Sequence, residues 1–365
     1  MNFGVLVETR PFEYRVGLTP AAVDSLVRAG HQVFIEQNAG LRAGFPDERY
    51  HEVHAQVVYT ALEVYKRSDV IVKVARPTEE EYPNFRSGQI ICSFLNLAVA
   101  SRDLLEELEK SEITTIAYES IRKENGQHPV VTTTSEVAGR MAPIVAGELL
   151  KSFRGGRGIL MSGLPGVPPA AVVIIGAGTL GRNAARCLHN LGAQVTVLDK
   201  NLDALQGIDE MFGGKVGTMY ANSINIGKAV AFSDVLITSA AEPGGRADIL
   251  VTREMLKDMR PRSVILDLAI DCGGNVETSR PTNLANPTFV EEEIIHYCVP
   301  NVSAQVSRTA SYALSNSMLP YLRAIGDAGL EVAIQNHPEL KSGINTLHGK
   351  LVNEEVARLI QNNGD

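Results

Sequence analysis

The run Val172-Val173-Ile174-Ile175-Gly176-Ala177-Gly178-Thr179-Leu180-Gly181 places glycines at G-x-G-x-x-G spacing, directly after an apolar stretch and ahead of a helical pattern from Arg182 to Leu191. Gly176 permits a tight turn, Gly178 lets the backbone approach a pyrophosphate, and Gly181 lets helix and strand pack closely. The helix start that carries Thr179 and Leu180 attracts phosphate charge. The next apolar stretch, Gln194-Val195-Thr196-Val197-Leu198, ends in Asp199. An acid about 20 residues downstream of the glycines accepts hydrogen bonds from the adenosine ribose hydroxyls. The combination implies a dinucleotide, and a carboxylate at Asp199 repels the 2′-phosphate of NADP, so the expected cofactor is NAD. The adjacent Lys200 is not enough to reverse that preference.

Other reactive side chains show no comparable spacing. Cys92, Cys187, Cys272 and Cys298 and the eight histidines form neither a C-x-x-C nor an H-x-x-x-H pair, so no metal site is expected and the thiols read as reduced and packed. The 365 residues are 44% hydrophobic and 21% charged, enough apolar material for two cores and too much for disorder. A net charge of -8 without a basic run argues against nucleic acid as a partner. No uncharged apolar stretch is long enough to span a bilayer, and Glu8 interrupts the N-terminal apolar run early, so a cytoplasmic protein is expected.

The elements that must position these residues alternate between strand and helix patterns. Strands are expected at Phe3–Val7, Gln32–Glu36, Val70–Val74, Gln89–Phe94 and Thr114–Glu119. Helical patterns run from Ala21 to Ala29 and around 60–67 and 102–110. Such alternation favours a mostly parallel sheet covered by helices on both faces. Thr133 with Glu136 fits a capping box for a long helix carrying Val137, Met141, Val145 and Leu149 on one side. A glycine- and proline-rich connection, Arg154 to Pro169, precedes a second α/β unit. Its strands are expected at Ala171–Ile175, Gln194–Leu198, Lys215–Thr218, Val235–Thr238, Ser263–Asp267 and Ile295–Val299. A further helix from Ala310 to Gly329 is long enough to return to the first domain. The expected fold class is α/β, with two Rossmann-like doubly wound domains joined by long helices and the first discontinuous. The boundaries expected are residues 1–132 plus 309–365 for the substrate domain and 133–308 for the NAD-binding domain with its linking helix.

Several segments together resemble the alanine dehydrogenase and pyridine nucleotide transhydrogenase N-terminal family. They include Tyr14-Arg15-Val16-Gly17-Leu18-Thr19-Pro20, Tyr118-Glu119-Ser120, Ser135-Glu136-Val137-Ala138-Gly139-Arg140 and Gly163-Leu164-Pro165-Gly166-Val167-Pro168-Pro169. So do Asp267-Leu268-Ala269-Ile270-Asp271-Cys272-Gly273-Gly274, Glu277-Thr278-Ser279-Arg280-Pro281-Thr282 and His296-Tyr297-Cys298-Val299-Pro300-Asn301. The likeness spans essentially the whole chain. It implies a homo-oligomer, often a hexamer, and NAD-dependent oxidative deamination of a small carboxylate-bearing substrate to a 2-oxo acid. By the same resemblance Arg15 matches the carboxylate-binding arginine, Asp271 the acid beside the nicotinamide, and Ser135 and Asn301 cofactor contacts.

Two positions depart from the family pattern. Where the family reads like Lys-Val-Lys-Glu-Pro, with the second lysine on the substrate, this chain has Lys73-Val74-Ala75-Arg76-Pro77. Where the family supplies an acid–base histidine in Tyr-Leu-His-Leu-Ala, this chain has Phe94-Leu95-Asn96-Leu97-Ala98. Alanine cannot bind a carboxylate, and asparagine can donate a hydrogen bond but cannot shuttle a proton near neutral pH. Lys73 and Arg76 are the nearest cations. In a regular strand Arg76 faces away from Ala75, and only a bulge turns it to the pocket. The site expected is therefore Asp271, Arg15, Asn96 and Arg76, in an NAD-dependent oxidoreductase for an amino acid, amine or imine other than alanine. A non-catalytic NAD-binding partner or sensor is the alternative. A transhydrogenase subunit is disfavoured by Pro281-Thr282 and His296-Tyr297-Cys298.

Overall fold

The computed structural model describes residues 1–241 and 245–362. The chain divides into two compact units, Met1–Thr134 together with the chain from Ala304 onward, and Ser135–Ser303. Residues 363–365, the end of the expected 309–365 segment, lie outside the described residues.

The first unit is built on β1 (Asn2–Val5), β2 (Gln32–Glu36), β3 (Gln56–Val58), β4 (Val70–Ala75), β5 (Ile90–Phe94) and β6 (Thr114–Ala117). They lie in the order β3-β2-β1-β4-β5-β6, all parallel. Both faces are covered, which explains why β4 is apolar at nearly every position. Val70, Val72 and Val74 join a core shared with Leu314 and Met318 of the helix Ser307–Ala328. Ile71 joins the opposite core with Val64, Leu104 and Leu108. The strand order reverses between β1 and β4, and the carboxyl ends around such a switch point are where doubly wound sheets bind ligands. The β6 edge is covered by the chain near residue 345: Thr115 Oγ1 lies 2.8 Å from Thr346 Oγ1 and the Asn345 N–H donates to the Thr115 carbonyl.

The second unit repeats the plan with β7 (Ala171–Ile175), β8 (Gln194–Asp199), β9 (Gly217–Tyr220), β10 (Val235–Thr238), β11 (Val264–Asp267), β12 (Thr288–Glu291) and β13 (Ile294–Tyr297). The order is β12-β13-β11-β10-β7-β8-β9, parallel except for the antiparallel edge strand β12. The α/β class and two doubly wound sheets thus agree with the sequence pattern.

Several boundaries differ from it. The long helix runs Pro129–Leu149 rather than starting after Thr133. Its first hydrogen bond is Thr132 N–H to the His128 carbonyl, and Thr133 Oγ1 donates back to the Val130 carbonyl instead of capping. Pro129 explains the earlier start, because its fixed φ and missing N–H suit the first helical position. The first strand ends at Val5 and the sixth at Ala117, both short of the expected Val7 and Glu119. The third strand of the second unit sits two residues later than Lys215–Thr218. β3 and β12 carry too few contrasting residues to be recognised by alternation.

Candidate active site

In the second unit the glycine motif forms the turn between β7 and the helix Thr179–Asn190. Gly176 has φ +111°, a conformation that side-chain-bearing residues rarely adopt. A Cβ on Gly181 would stand 1.8 Å from the Gly176 carbonyl oxygen, so any larger residue would push helix and strand apart. A Cβ on Gly178 would meet nothing within 4 Å, so the backbone there is open to a phosphate. Asp199 closes β8 and accepts hydrogen bonds from the Ala177 N–H at 2.6 Å and the Asn201 N–H at 2.8 Å. Those bonds fix the carboxylate beside the glycine turn, with Thr179 and Leu180 opening the helix. The cradle fits a dinucleotide.

The same edge of this sheet carries Asp271 and Asn301. Buried Asp267, at the end of β11, accepts from Thr238 Oγ1 and from the N–H groups of Ala269, Asn275 and Val276, which ties down the loop that follows. Asp271 lies in that loop, exposed, in the 3₁₀ turn Ile270–Cys272. Its Oδ2 accepts from the Asn301 N–H at 3.2 Å, and Asn301 adopts φ +59°. Two residues 30 positions apart are thereby brought together after adjacent strands. Ser135 sits half-buried in the helix Pro129–Leu149.

In the first unit the carboxyl ends of β1, β4, β5 and β6 gather the remaining candidates. Arg15 is 2% exposed. Glu13 accepts from its Nε at 2.7 Å and its Nη2 at 2.6 Å, which fixes the guanidinium plane. Arg15 and Glu13 border a recess of about 300 Å³ that also includes Tyr14, Asn38 and Arg42. β4 carries a register shift against β5 between Val72 and Ala75. Glu8 braces it by accepting from the Val74 and Ala75 N–H groups at 2.6 and 3.3 Å. Past this bulge the half-buried Arg76 is near enough to the Glu119 carboxylate to affect it electrostatically.

Lys73 plays a different part from the substitute cation considered above. It is fully buried, 2.9 Å from Glu81 and 3.3 Å from Glu8. Burial alone would lower its ammonium, but the two carboxylates hold it above the ordinary lysine value. Burial raises Glu8; at Glu81 burial pushes the same way, but Lys73 together with hydrogen bonds from Thr78 and Thr9 brings that group below the usual value. Lys73 is the counter-ion that lets two carboxylates stay under the sheet edge, as a buried charge requires.

Asn96 follows β5 with φ +46° and ψ +49°, the left-handed region that asparagine tolerates better than most residues. Its N–H donates to Glu119 Oε1 at 2.6 Å, and the Leu95 N–H donates to Oε2 at 3.2 Å. Burial pushes the Glu119 carboxyl up to about 7 despite those bonds and the nearby Arg76. Among the described residues no group of three or more His, Cys, Asp or Glu could hold a metal ion, and no helix is long and apolar enough to cross a membrane.

Two family models match the chain: "Alanine dehydrogenase/PNT, N-terminal domain" over residues 4–138 and "Alanine dehydrogenase/PNT, C-terminal domain" over 142–354. The chain belongs to the alanine dehydrogenase/PNT family. Within it, the alanine dehydrogenase of Methanococcus maripaludis is 43% identical over 98% of this chain and 96% of its own length, and that of Bacillus subtilis 41% over 98% and 94%. Among solved structures, an L-alanine dehydrogenase superposes with a TM-score of 0.94 at 41% identity, covering 99% of both chains. A transhydrogenase from Sinorhizobium meliloti gives 0.80 at 25% identity, covering 96% of this chain and 99% of the other. Family membership implies a pyridine nucleotide and an oxidoreductase acting on CH–NH2. Two residues near Asn96 escaped the reading of the sequence as candidates, Glu119 and His128. Glu119 was visible only inside a family motif, and His128 is a lone histidine ahead of a proline with no spacing to mark it.

Proposed function

We propose that this family member is an NAD-dependent dehydrogenase acting at the carbon–nitrogen bond of an amino acid, amine or imine, with a substrate preference shifted away from alanine. The observation that carries the proposal is position 96. At the carboxyl end of β5, where the resemblance puts a proton-transferring histidine, stands an asparagine whose own N–H is engaged by Glu119. Ala75 adds a second loss of ionisable chemistry on the neighbouring strand.

In this reading Gly176, Gly178, Gly181 and Asp199 hold the pyrophosphate and ribose of NAD, with Thr179 and Leu180 at the helix start. Ser135 and Asn301 contact its nicotinamide end. NAD when bound supplies the hydride acceptor. Arg15, oriented by Glu13, binds the substrate carboxylate, and Arg76, just past the bulge in β4, supplies cationic character that Ala75 cannot. Asp271 is the acid beside the reacting carbon. A substrate that presents an imine already formed needs less proton management than alanine, and so suits a pocket with these substitutions. The resemblance supports reading the protein as a homo-oligomer acting on a small molecule in the cytoplasm.

The test is a screen of amino acids with NAD, and of 2-oxo acids with ammonia or amines and NADH, followed by NADH absorbance. Turnover of a substrate other than alanine supports the reading. Silence across the panel with tight NAD binding favours the non-catalytic alternative.

A further inference from the structure

Resting on the dehydrogenase reading above, we infer that His128 is the catalytic acid–base of this enzyme, taking over from a neighbouring position the proton transfer that Asn96 cannot perform. His128 is the residue before the helix Pro129–Leu149, and its carbonyl accepts the first helical hydrogen bond from the Thr132 N–H at 2.9 Å. Its Nδ1 lies 2.9 Å from the main-chain carbonyl oxygen of Glu119. A carbonyl can only accept, so Nδ1 carries the hydrogen, and in the neutral ring Nε2 is then the basic nitrogen. Fixing the tautomer through a backbone carbonyl is how proteins aim a working imidazole.

The same residue, Glu119, ties this imidazole to the vacant position. Its carboxylate holds the Asn96 and Leu95 N–H groups while its carbonyl holds His128. All three follow β5 or β6 at the carboxyl edge, where ligands of such sheets bind. The ring is half-buried, which leaves it accessible to a small molecule.

The step it serves is breakdown of the carbinolamine. From the nitrogen-protonated carbinolamine, the hydroxyl proton passes to Nε2. The O–H electron pair becomes the second bond of the carbonyl, and the C–N pair leaves on neutral ammonia or amine. In the reverse direction the imidazolium returns that proton to the carbonyl oxygen as the amine adds. No electrons beyond those of the substrate are required.

The ring grips the Glu119 main-chain carbonyl, and the carboxylate of the same residue lies within electrostatic reach of Arg76. The experiment uses the full-length protein and the best substrate from the panel. His128→Gln is expected to lower kcat by about 100-fold or more, to leave the Kd for NADH within about twofold of wild type, and to abolish the acidic limb of the kcat/KM profile. Glu119→Gln, which leaves the main-chain carbonyl that His128 binds in place, keeps the limb. Asn96→His added to His128→Gln recovers at least about tenfold of the lost rate on that substrate, whereas Asn96→His alone gains less than about threefold; an equal gain in both backgrounds would mark His128 as purely structural and overturn the inference. A wild-type protein that turns over while His128→Gln loses less than about threefold overturns this inference alone. A wild-type protein that binds NADH but turns over nothing overturns the dehydrogenase reading, and this inference with it.

Discussion

Position 96 shows how much one side chain decides here. Asparagine fits the left-handed turn after β5 and its N–H keeps the bond to Glu119, so the local structure tolerates an amide that cannot itself shuttle a proton. Restoring the family's pair by Asn96→His with Ala75→Lys is expected to raise alanine turnover by about 100-fold or more, measured as NADH formed per enzyme. At the cofactor site, Asp199→Ala is expected to weaken NAD by roughly 10- to 100-fold, since a charge-assisted hydrogen bond contributes about 1.5–3 kcal/mol. Fluorescence titration with NADH checks it. Asp199 and the glycines were legible from residue type and spacing alone. Arg76 was legible as a candidate with its direction left open, because a strand pattern gives a side chain's face only if the strand is regular, and the bulge between Val72 and Ala75 has no residue signature. The ion pairs that engage Lys73 were not legible for a related reason: Glu8 and Glu81 lie 65 and 8 positions from it, with no spacing that marks them as partners before the chain folds.

The elements act by holding these side chains rigid. Gly181 makes the contact between β7 and its helix possible, so Gly181→Ala is expected to reduce NAD affinity at least tenfold and to lower Tm by several degrees, read by calorimetry with and without NAD. Beneath β4, Lys73→Met leaves Glu8 and Glu81 buried without a counter-charge and is expected to destabilise the fold by about 3–5 kcal/mol, measured by denaturant unfolding. Glu119 adds a pH dependence whose sign follows from its raised carboxyl. Folding lifts it from 4.5 to about 7, so between those values the folded chain holds a proton that the unfolded chain has released. The contribution of this group is complete below pH 4.5 and declines as pH rises to 7, by roughly 3 kcal/mol in all. Glu119→Gln is expected to flatten the wild-type slope in that window. The strand and helix order was readable from apolar periodicity, but helix starts depended on cap chemistry. Thr133 and Glu136 mimic a capping box, whereas the actual start uses Pro129 and the His128 carbonyl.

At the scale of the whole molecule, two doubly wound sheets that share the order 3-2-1-4-5 in their first five strands are built from one chain, and the candidate residues of each follow the carboxyl ends of its strands. The second unit carries the glycine turn and Asp199, and the Ala75 and Asn96 positions lie in the first, at the end of β4 and just past β5. That separation accounts for a protein 43% identical to a curated alanine dehydrogenase and yet read here as working on something else. The measurement that bears most directly on it is a comparison of kcat/KM for L-alanine with that for every other member of an amino-acid, amine and imine panel, in one NAD-coupled assay with purified protein. The expected result is an alanine value at least about 100-fold below that of the best substrate. An alanine value of about 10⁴ M⁻¹s⁻¹ or more, with no better substrate in the panel, would contradict it.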